Sequence, residues 1–373
     1  MSETATRTNL LGLTPPELEA FVVGLGEKPF RARQLLTWIY KRREGEFAAM
    51  TDLGKEFRAR LAAVAEVRAP EIASEHASGD GTRKWLLQAG ASAGRAQAIE
   101  TVFIPEPGRG TLCISTQVGC ALDCSFCSTG AQGFNRNLET AEIVGQVWLA
   151  SRLLGVGPGG ERAITNVVLM GMGEPLANYR AVLPALQLFM DDRGFDLSRR
   201  RVTLSTSGLV PQIYRLAEDT NVALAVSLHA PNDALRDQLV PINRRHPIRE
   251  LLEACWHYLG AQNGRSITFE YVLLDGVNDQ PEHARELVGL LAGHDAKVNL
   301  IPFNPFPGTS YRRSPVAVIG RFRDYLNAHG LTATVRRTRG GDIDAACGQL
   351  AGRVHDRTTV RLGSKTIAVT VDA

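Results

Sequence analysis

No stretch of this sequence approaches the roughly 18 uninterrupted apolar residues that a membrane-spanning helix needs, so no membrane partner is expected. Residues 1–13 are polar with one short apolar patch, and lack the basic start and apolar middle of an export leader. The expected location is the cytoplasm. Charge of one sign is not in marked excess: a net charge of +3 is too small to single out a nucleic-acid partner. No repeat or low-complexity segment is present, and 44% apolar against 22% charged residues excludes disordered, collagenous and fibrous classes. Cysteine is scarce, with six in 373 residues. In a reducing compartment standing disulfides are rare, so these cysteines read as ligands or reactive thiols.

What is present is enough chain for one large domain plus a smaller one. Residues 1–66 carry three helical patterns. Thr14 caps the first, with Pro15 at the first helical position and Glu17 completing a capping box; Leu18, Phe21, Val22 and Leu25 share a face, and Gly26 ends it. The second follows Pro29 and is expected to bury Phe30, Leu35, Leu36 and Ile39. The third starts at Thr51 and buries Leu53, Phe57 and Leu61. Residues 67–110 turn to extended runs around the Gly79-Asp80-Gly81 turn and predict a linking β-layer.

From residue 111 to about 352, β-branched runs alternate with helical patterns. The runs are 112–116, 166–170, 202–206, 223–228, 267–273 and 298–302; helical segments lie at 140–154, 179–189, 213–218, 249–260 and 282–292. Strands without strict polar alternation, separated by helices, predict an α/β fold with a parallel sheet covered by helices. Six such units fit an incomplete (β/α)6 barrel, whose chemistry belongs at the C-terminal ends of its strands. The polar and glycine-rich segments do follow the strands.

The sharpest local feature is Cys120-Ala-Leu-Asp-Cys124-Ser-Phe-Cys127. Three thiolates within eight residues can converge on one metal centre, and they suit iron–sulfur or zinc. Structural zinc normally takes four ligands, often as paired CxxC elements, and no fourth cysteine or histidine stands nearby in sequence. Three ligands leave one iron of a four-iron cluster free for a cofactor. The blander alternative is an incomplete zinc knuckle. Read alone, Cys113 and Cys347 fit small buried apolar residues as well as reactive thiols. Cys255, beside Ala254 and Trp256 on a helical pattern, reads as core.

The CxxxCxxC loop resembles the signature of the radical S-adenosylmethionine superfamily. Four longer segments resemble, more narrowly, the bacterial RlmN family of dual-specificity RNA methyltransferases. They are Thr111-Leu-Cys-Ile-Ser-Thr-Gln-Val-Gly-Cys120, Gln132-Gly-Phe-Asn-Arg-Asn137, Met170-Gly-Met-Gly-Glu-Pro175 and Arg339-Gly-Gly-Asp-Ile-Asp-Ala-Ala-Cys-Gly-Gln-Leu-Ala-Gly352. The resemblance runs from the helical N-terminus to about Gly352. It implies a radical-SAM partial barrel and methylation of C2 of an adenosine in 23S rRNA and in certain tRNAs. It also implies a 4Fe–4S cluster and two S-adenosylmethionine molecules per turnover. That carbon is electron-poor, so it cannot displace an electrophilic methyl directly, and a radical route avoids the polarity problem. Cys120, Cys124 and Cys127 correspond to the cluster ligands. Cys347 corresponds to a methyl-carrying cysteine, a step open to an ordinary thiolate nucleophile. Cys113 corresponds to the thiol that attacks Cys347 and frees the RNA from a transient protein adduct by way of a transient disulfide. Glu100 corresponds to the base for the C2 proton; the plain alternative is a surface strand glutamate. Gly173, Glu174, Ser205, Ser227, Leu228, His229 and Asn304 correspond to S-adenosylmethionine contacts, although His229 alone would read as a structural histidine. A one-electron reductant such as flavodoxin or ferredoxin is implied, and a monomer is expected.

Two rivals stand beside this reading. One is a related enzyme that methylates adenosine C8 and shares the cluster and both thiols. The other is a zinc-stabilised RNA-binding protein without catalysis. Arginine clusters at 199–201, 244–245, 312–313 and 336–339, with Lys41-Arg42-Arg43 beside Trp38 and Tyr40, suit phosphate contact and base stacking. Any one of them can also be a solvated face. The target base must be splayed out of its stack to reach a buried centre. Residues 353–373 read as an extended, alternating tail, where the family more often ends in a basic helical run; no role is assigned to it.

Overall fold

The computed structural model describes residues 7–155, 161–262 and 266–358, so most of the expected extended tail lies outside the described residues. The chain opens with β1 (Thr8–Asn9), which pairs in parallel with β2 (Ala65–Glu66) and joins the two ends of the helical unit. Between them lie α1 (Pro15–Gly24), α2 (Phe30–Leu36) and α3 (Lys55–Val64). The Glu17 carboxylate accepts from both the Thr14 N–H and the Thr14 hydroxyl at 2.8 and 2.6 Å, and Gly26 takes a positive φ of 79° just past the helix end. After α2 the helix widens, with the Arg42 N–H reaching the Thr37 carbonyl. Leu35, Leu36 and Ile39 are buried as expected, but Phe30 is 46% exposed, with Arg31 stacked over its ring. It stands at the first residue of the helix, before the apolar stripe turns inward.

The linking strands β3 (Ile72–Ala77), β4 (Arg83–Ser92) and β5 (Arg95–Glu106) are antiparallel neighbours that continue directly into the main sheet rather than forming a separate layer. β5 pairs with β6 (Arg109–Cys113), and from there every pairing is parallel. The order runs through β9 (Asn166–Leu169), β10 (Val202–Thr206), β11 (Ala223–Ser227), β12 (Ile267–Leu273), β13 (Ala296–Pro302) and β14 (Thr332–Val335). Among the described residues that makes seven parallel strands in the main sheet where six were expected. The two short strands β7 (Gln117–Gly119) and β8 (Phe134–Asn137) form a ribbon beside the main sheet.

Helices α5 (Thr140–Leu154), α6 (Tyr179–Met190), α7 (Val210–Asp219), α9 (Ile248–Ala261), α10 (Pro281–Leu291) and α11 (Val316–Ala328) connect the strands, while α4 (Ser128–Ala131) and α8 (Asp233–Leu239) sit in the loops. Side chains alternate along each strand: Leu204, Val226, Phe269 and Leu300 are fully buried, whereas Thr203, Ala225, Thr268 and Asn299 line one cavity together with Thr111, Val168 and Thr334. A single cavity lined from all seven parallel strands and from β5 means that the sheet is curled, with a gap between the free edge of β14 and β5. The chain after β14 crosses this gap. Arg353 and Ala98 of β5 exchange two backbone hydrogen bonds of 2.9 Å.

Candidate active site

The cysteine loop hangs between β7 and α4. The Cys120 N–H donates to the Gly133 carbonyl at 2.8 Å, and the Cys127 N–H to the Cys124 carbonyl at 3.1 Å. Gly119 and Gly133 take positive φ angles of 83° and 78°, and the packing leaves no room for a side chain at either. Burial pushes the Cys124 thiol up to about 12, with the charge of Cys127 adding to it; Cys120 and Cys127 are also raised, burial first. Three half-buried thiols on one loop suit a cationic centre that takes them as thiolates. Among the described residues, no three His, Cys, Asp or Glu side chains are gathered as a single bound ion requires. Three thiols on one loop match a multi-iron cluster that keeps one iron free, whereas a structural zinc site closes with four ligands.

The loop after β14 brings Cys347 to the same place. The Ser128 N–H donates to the Gly348 carbonyl at 2.8 Å, and the Thr129 hydroxyl to the Leu350 carbonyl at 2.6 Å. Asn304 donates to the Cys347 carbonyl at 3.3 Å while accepting from the Thr338 hydroxyl. Cys347 lines two cavities at once. The smaller, about 150 Å³, is bounded by Gly173, Glu174, Ser205, Ser227 and His229. The larger, about 470 Å³, is the inside of the curled sheet and has Arg109, Arg336, Arg337 and Arg339 on its wall. Met170, Glu270, Ile301 and Arg336 border both. Five of the seven expected cofactor contacts thus share one cavity. Asn304 lines the larger cavity instead, and Leu228 lines neither.

The smaller cavity is built by strand ends. Gly173 has φ 102°, and a Cβ there would stand 2.5 Å from the Gln117 Cβ. Glu174 is 3% exposed, and its carboxylate accepts from the Leu176 and Ser207 N–H groups, tying the end of β9 to that of β10. Burial raises its pKa and those hydrogen bonds oppose the shift. Its oxygens keep lone pairs for an ammonium group. Leu228 spends its N–H on the Glu270 carbonyl and its carbonyl on Arg236. His229, at φ 58°, accepts the Val272 N–H on Nδ1 at 3.0 Å and packs edge-on against Phe126 of the cysteine loop. Burial, then the nearby Arg236, holds it down at about 3. It is therefore neutral, with the proton on Nε2.

Cys113 ends β6 and is buried, with its thiol pushed up to about 12 by burial and further by the charge of Cys347. Arg336 opposes both effects. The same guanidinium is held charged first by Cys347 and then by Glu270 and Cys113, so it lies within electrostatic range of all three. Glu100 is buried, but it lines neither cavity. It bonds Lys84 at 3.1 Å and accepts from the Ala351 N–H at 3.0 Å. In this conformation its carboxylate faces the loop that carries Cys347 rather than the space in front of the sulfur. Cys255 is fully buried in the core of α9.

The basic clusters divide. Trp38 and Tyr40 are buried, Arg42 stacks on Trp38 at 3.9 Å, and Lys41 pairs with Asp196 at 3.6 Å. That group joins the helical unit to the main domain and offers no free ring for stacking. Residues 199–201 precede β10, at the strand end opposite the chemistry. Arg244, Arg245 and Arg337 are exposed, and Arg337 borders the larger cavity. Sequence reasoning missed Arg236, which is fully buried and donates to the Ser207, Ser227 and Leu228 carbonyls and to Asn243, and whose charge reaches Cys124. Nothing local marks it. Glu270, a lone carboxylate in the apolar run 267–273, was a visible signal.

Comparison with known proteins finds relatives over nearly the whole chain. The family model described as the ribosomal RNA large subunit methyltransferase N-terminal domain matches residues 8–67, and that of the Radical SAM superfamily matches residues 114–288. A curated dual-specificity RNA methyltransferase RlmN of Alkalilimnicola ehrlichii is 59% identical over 351 residues, covering 94% of this chain and 95% of that protein. One from Pseudomonas putida strain W619 is 55% identical over 371 residues, covering 99% and 96%. The crystal structure of a radical SAM methyltransferase from Sphaerobacter thermophilus matches with a TM-score of 0.85 at 47% identity, covering 92% of this chain and 99% of that one.

Proposed function

Because the chain belongs to the RlmN family of dual-specificity RNA methyltransferases, we infer that it is a radical S-adenosylmethionine enzyme that methylates C2 of an adenosine in 23S rRNA and in certain tRNAs. The observation that carries the reading is the position of Cys347 where the two cavities meet. On one side are the cysteine loop and the candidate cofactor contacts; on the other is an arginine-lined space able to take an extruded base. Cys120, Cys124 and Cys127 would hold a 4Fe–4S cluster and the smaller cavity would take S-adenosylmethionine; together they would supply an electrophilic methyl group and a hydrogen-abstracting radical, one cofactor molecule for each.

The thiols divide the work by environment. Cys347 is the nucleophile that takes the methyl group. Cys113, held protonated by burial, does not compete for it. After the carbon is joined to the base, the adduct's unpaired electron passes back to the electron-transfer chain. Cys113 then gives up its proton beside Arg336 and attacks the Cys347 sulfur: the S–S bond forms as the S–C bond breaks. The carbon keeps the bonding pair and takes a proton to become the methyl group on the RNA, and the electron carrier reduces the disulfide. Arg336, in range of both thiols, stabilises whichever of them is anionic. Glu174 and the neutral His229 orient the cofactor, and Glu100 takes the C2 proton once its carboxylate turns from Ala351 to the cavity. A low-potential electron carrier such as flavodoxin or ferredoxin supplies the electron, and the enzyme works as a cytoplasmic monomer.

Mass spectrometry of RNA treated with anaerobically reconstituted protein tests the assignment. The expected product co-elutes with a C2-methyladenosine standard. Co-elution with the C8 isomer overturns the regiochemistry, and a colourless protein holding one zinc ion overturns the cluster.

A further inference from the structure

β4 and β5 run antiparallel with Leu86 opposite Glu100 and Lys84 opposite Val102. Lys84 and Glu100 are therefore diagonal neighbours on one face. Both are buried, at 8% and 6% exposure, and neither borders the two cavities at Cys347. A paired ammonium and carboxylate still have donor and acceptor capacity to use. Here both spend it on one loop. Lys84 Nζ donates to the Asp344 carbonyl at 3.2 Å, and Glu100 Oε2 accepts from the Ala351 N–H at 3.0 Å. Those two contacts fall on either side of Cys347.

The loop cannot hold this shape alone. Gly340, Asp344 and Gly348 all have positive φ, at 59°, 50° and 83°, and no strand or α-helix runs between β14 and residue 358 among the described residues. Its course depends on outside ties, and charge-assisted hydrogen bonds are directional where apolar packing is not.

We propose that Lys84 is a positioning residue for methyl transfer: with Glu100 it forms a latch that pins both flanks of the loop and sets where the Cys347 sulfur stands during that step, the Glu100 tie being released only later, when its carboxylate turns to the base. The functional consequence rests on reading Cys347 as the methyl carrier, whereas the latch itself is testable without RNA.

The test uses cluster-loaded protein, iodoacetamide as probe, and peptide mass spectrometry to follow each cysteine. Lys84→Met leaves Glu100 buried without its partner, which threatens folding by itself. The double variant Lys84→Met/Glu100→Gln removes both charges together and avoids that penalty. In either variant Cys347 is expected to alkylate about tenfold faster than in the parent, the ratio for losing roughly one hydrogen bond, while buried Cys255 stays unmodified. Lys84→Arg is expected to restore labelling to within about twofold of the parent, because it keeps a donor and the charge. In turnover Lys84→Met lowers kcat and leaves the KM for RNA unchanged. Cys347 labelling at the parental rate in variants that melt at the parental temperature overturns the latch, as does equal acceleration at Cys255. A latch confirmed in a protein that fails to methylate RNA would leave this inference standing and defeat the functional reading instead.

Discussion

At the scale of single residues, the site separates groups by how far they are removed from water. Cys113 is the clearest case. On the proposed division of labour, Cys113→Ala should spare methyl addition but remove the group assigned to resolve the adduct, so a covalent protein–RNA species should accumulate on denaturing gels; normal release of methylated RNA would exclude Cys113 from that step. Arg236→Leu strands three backbone carbonyls and the Asn243 side-chain oxygen in the interior, at a cost of at least about 3 kcal/mol. A lower urea midpoint and less iron retained after reconstitution are expected together, because the same guanidinium braces the strand ends behind Cys124. His229 gives a pH signature. Its folded pKa of about 3 lies below the unfolded value near 6.5. As pH falls through that window, the unfolded chain takes up a proton that the folded chain refuses. Stability contributed here is complete above pH 6.5 and lost progressively toward pH 3. The denaturation midpoint should drop between about pH 7.5 and 5, and His229→Asn, which tolerates the left-handed backbone, should flatten that slope.

At the scale of elements, the strand ends carry the chemistry and depend on glycine where they approach one another. Gly173→Ala combines a positive φ with a contact on Gln117 that has no slack, so a loss of about 1–3 kcal/mol is expected. Weaker S-adenosylmethionine binding should accompany it in calorimetry, since Gln117 accepts the Glu174 N–H. The same elements show what a sequence discloses. The runs 202–206 and 267–273 and the helix 140–154 match β10, β12 and α5 residue for residue, because each couples a strong apolar period to clear end signals. β14 was missed: Thr-Ala-Thr-Val is a short edge strand with half its residues exposed. α11 was missed too, with Gly320 and three charged residues (Arg321, Arg323, Asp324) interrupting its apolar stripe. The cysteine loop was legible because its three cysteines are close in sequence. Lys84 was not, since its partner carbonyl lies 260 residues away and no local pattern encodes such a meeting.

At the scale of the whole molecule, the helical unit is bonded to the barrel. The Trp148 indole of α5 donates to the Ile39 carbonyl at 2.8 Å, and Arg43 reaches the Ser151 carbonyl. Gly12 lets the entry to the helical unit lie against α5, where a Cβ would stand 3.1 Å from the Ala141 nitrogen. Gly12→Val overpacks that contact at about 1–3 kcal/mol. Limited proteolysis should then cut faster in the connecting segment 67–71, while a parental cleavage rate would show that the contact yields without cost.

The segment that closes the gap in the curled sheet has one more consequence, for the order in which the protein is made. Thr129 and Leu350 are bonded although they stand 221 positions apart, and a ribosome delivers the N-terminal portion first. The cysteine loop beside α4 and the strands behind it can therefore assemble while the site is still open on one flank. Cys347 arrives only with the final stretch of translation, so the newborn chain has its cysteine loop before it has the sulfur that closes against it.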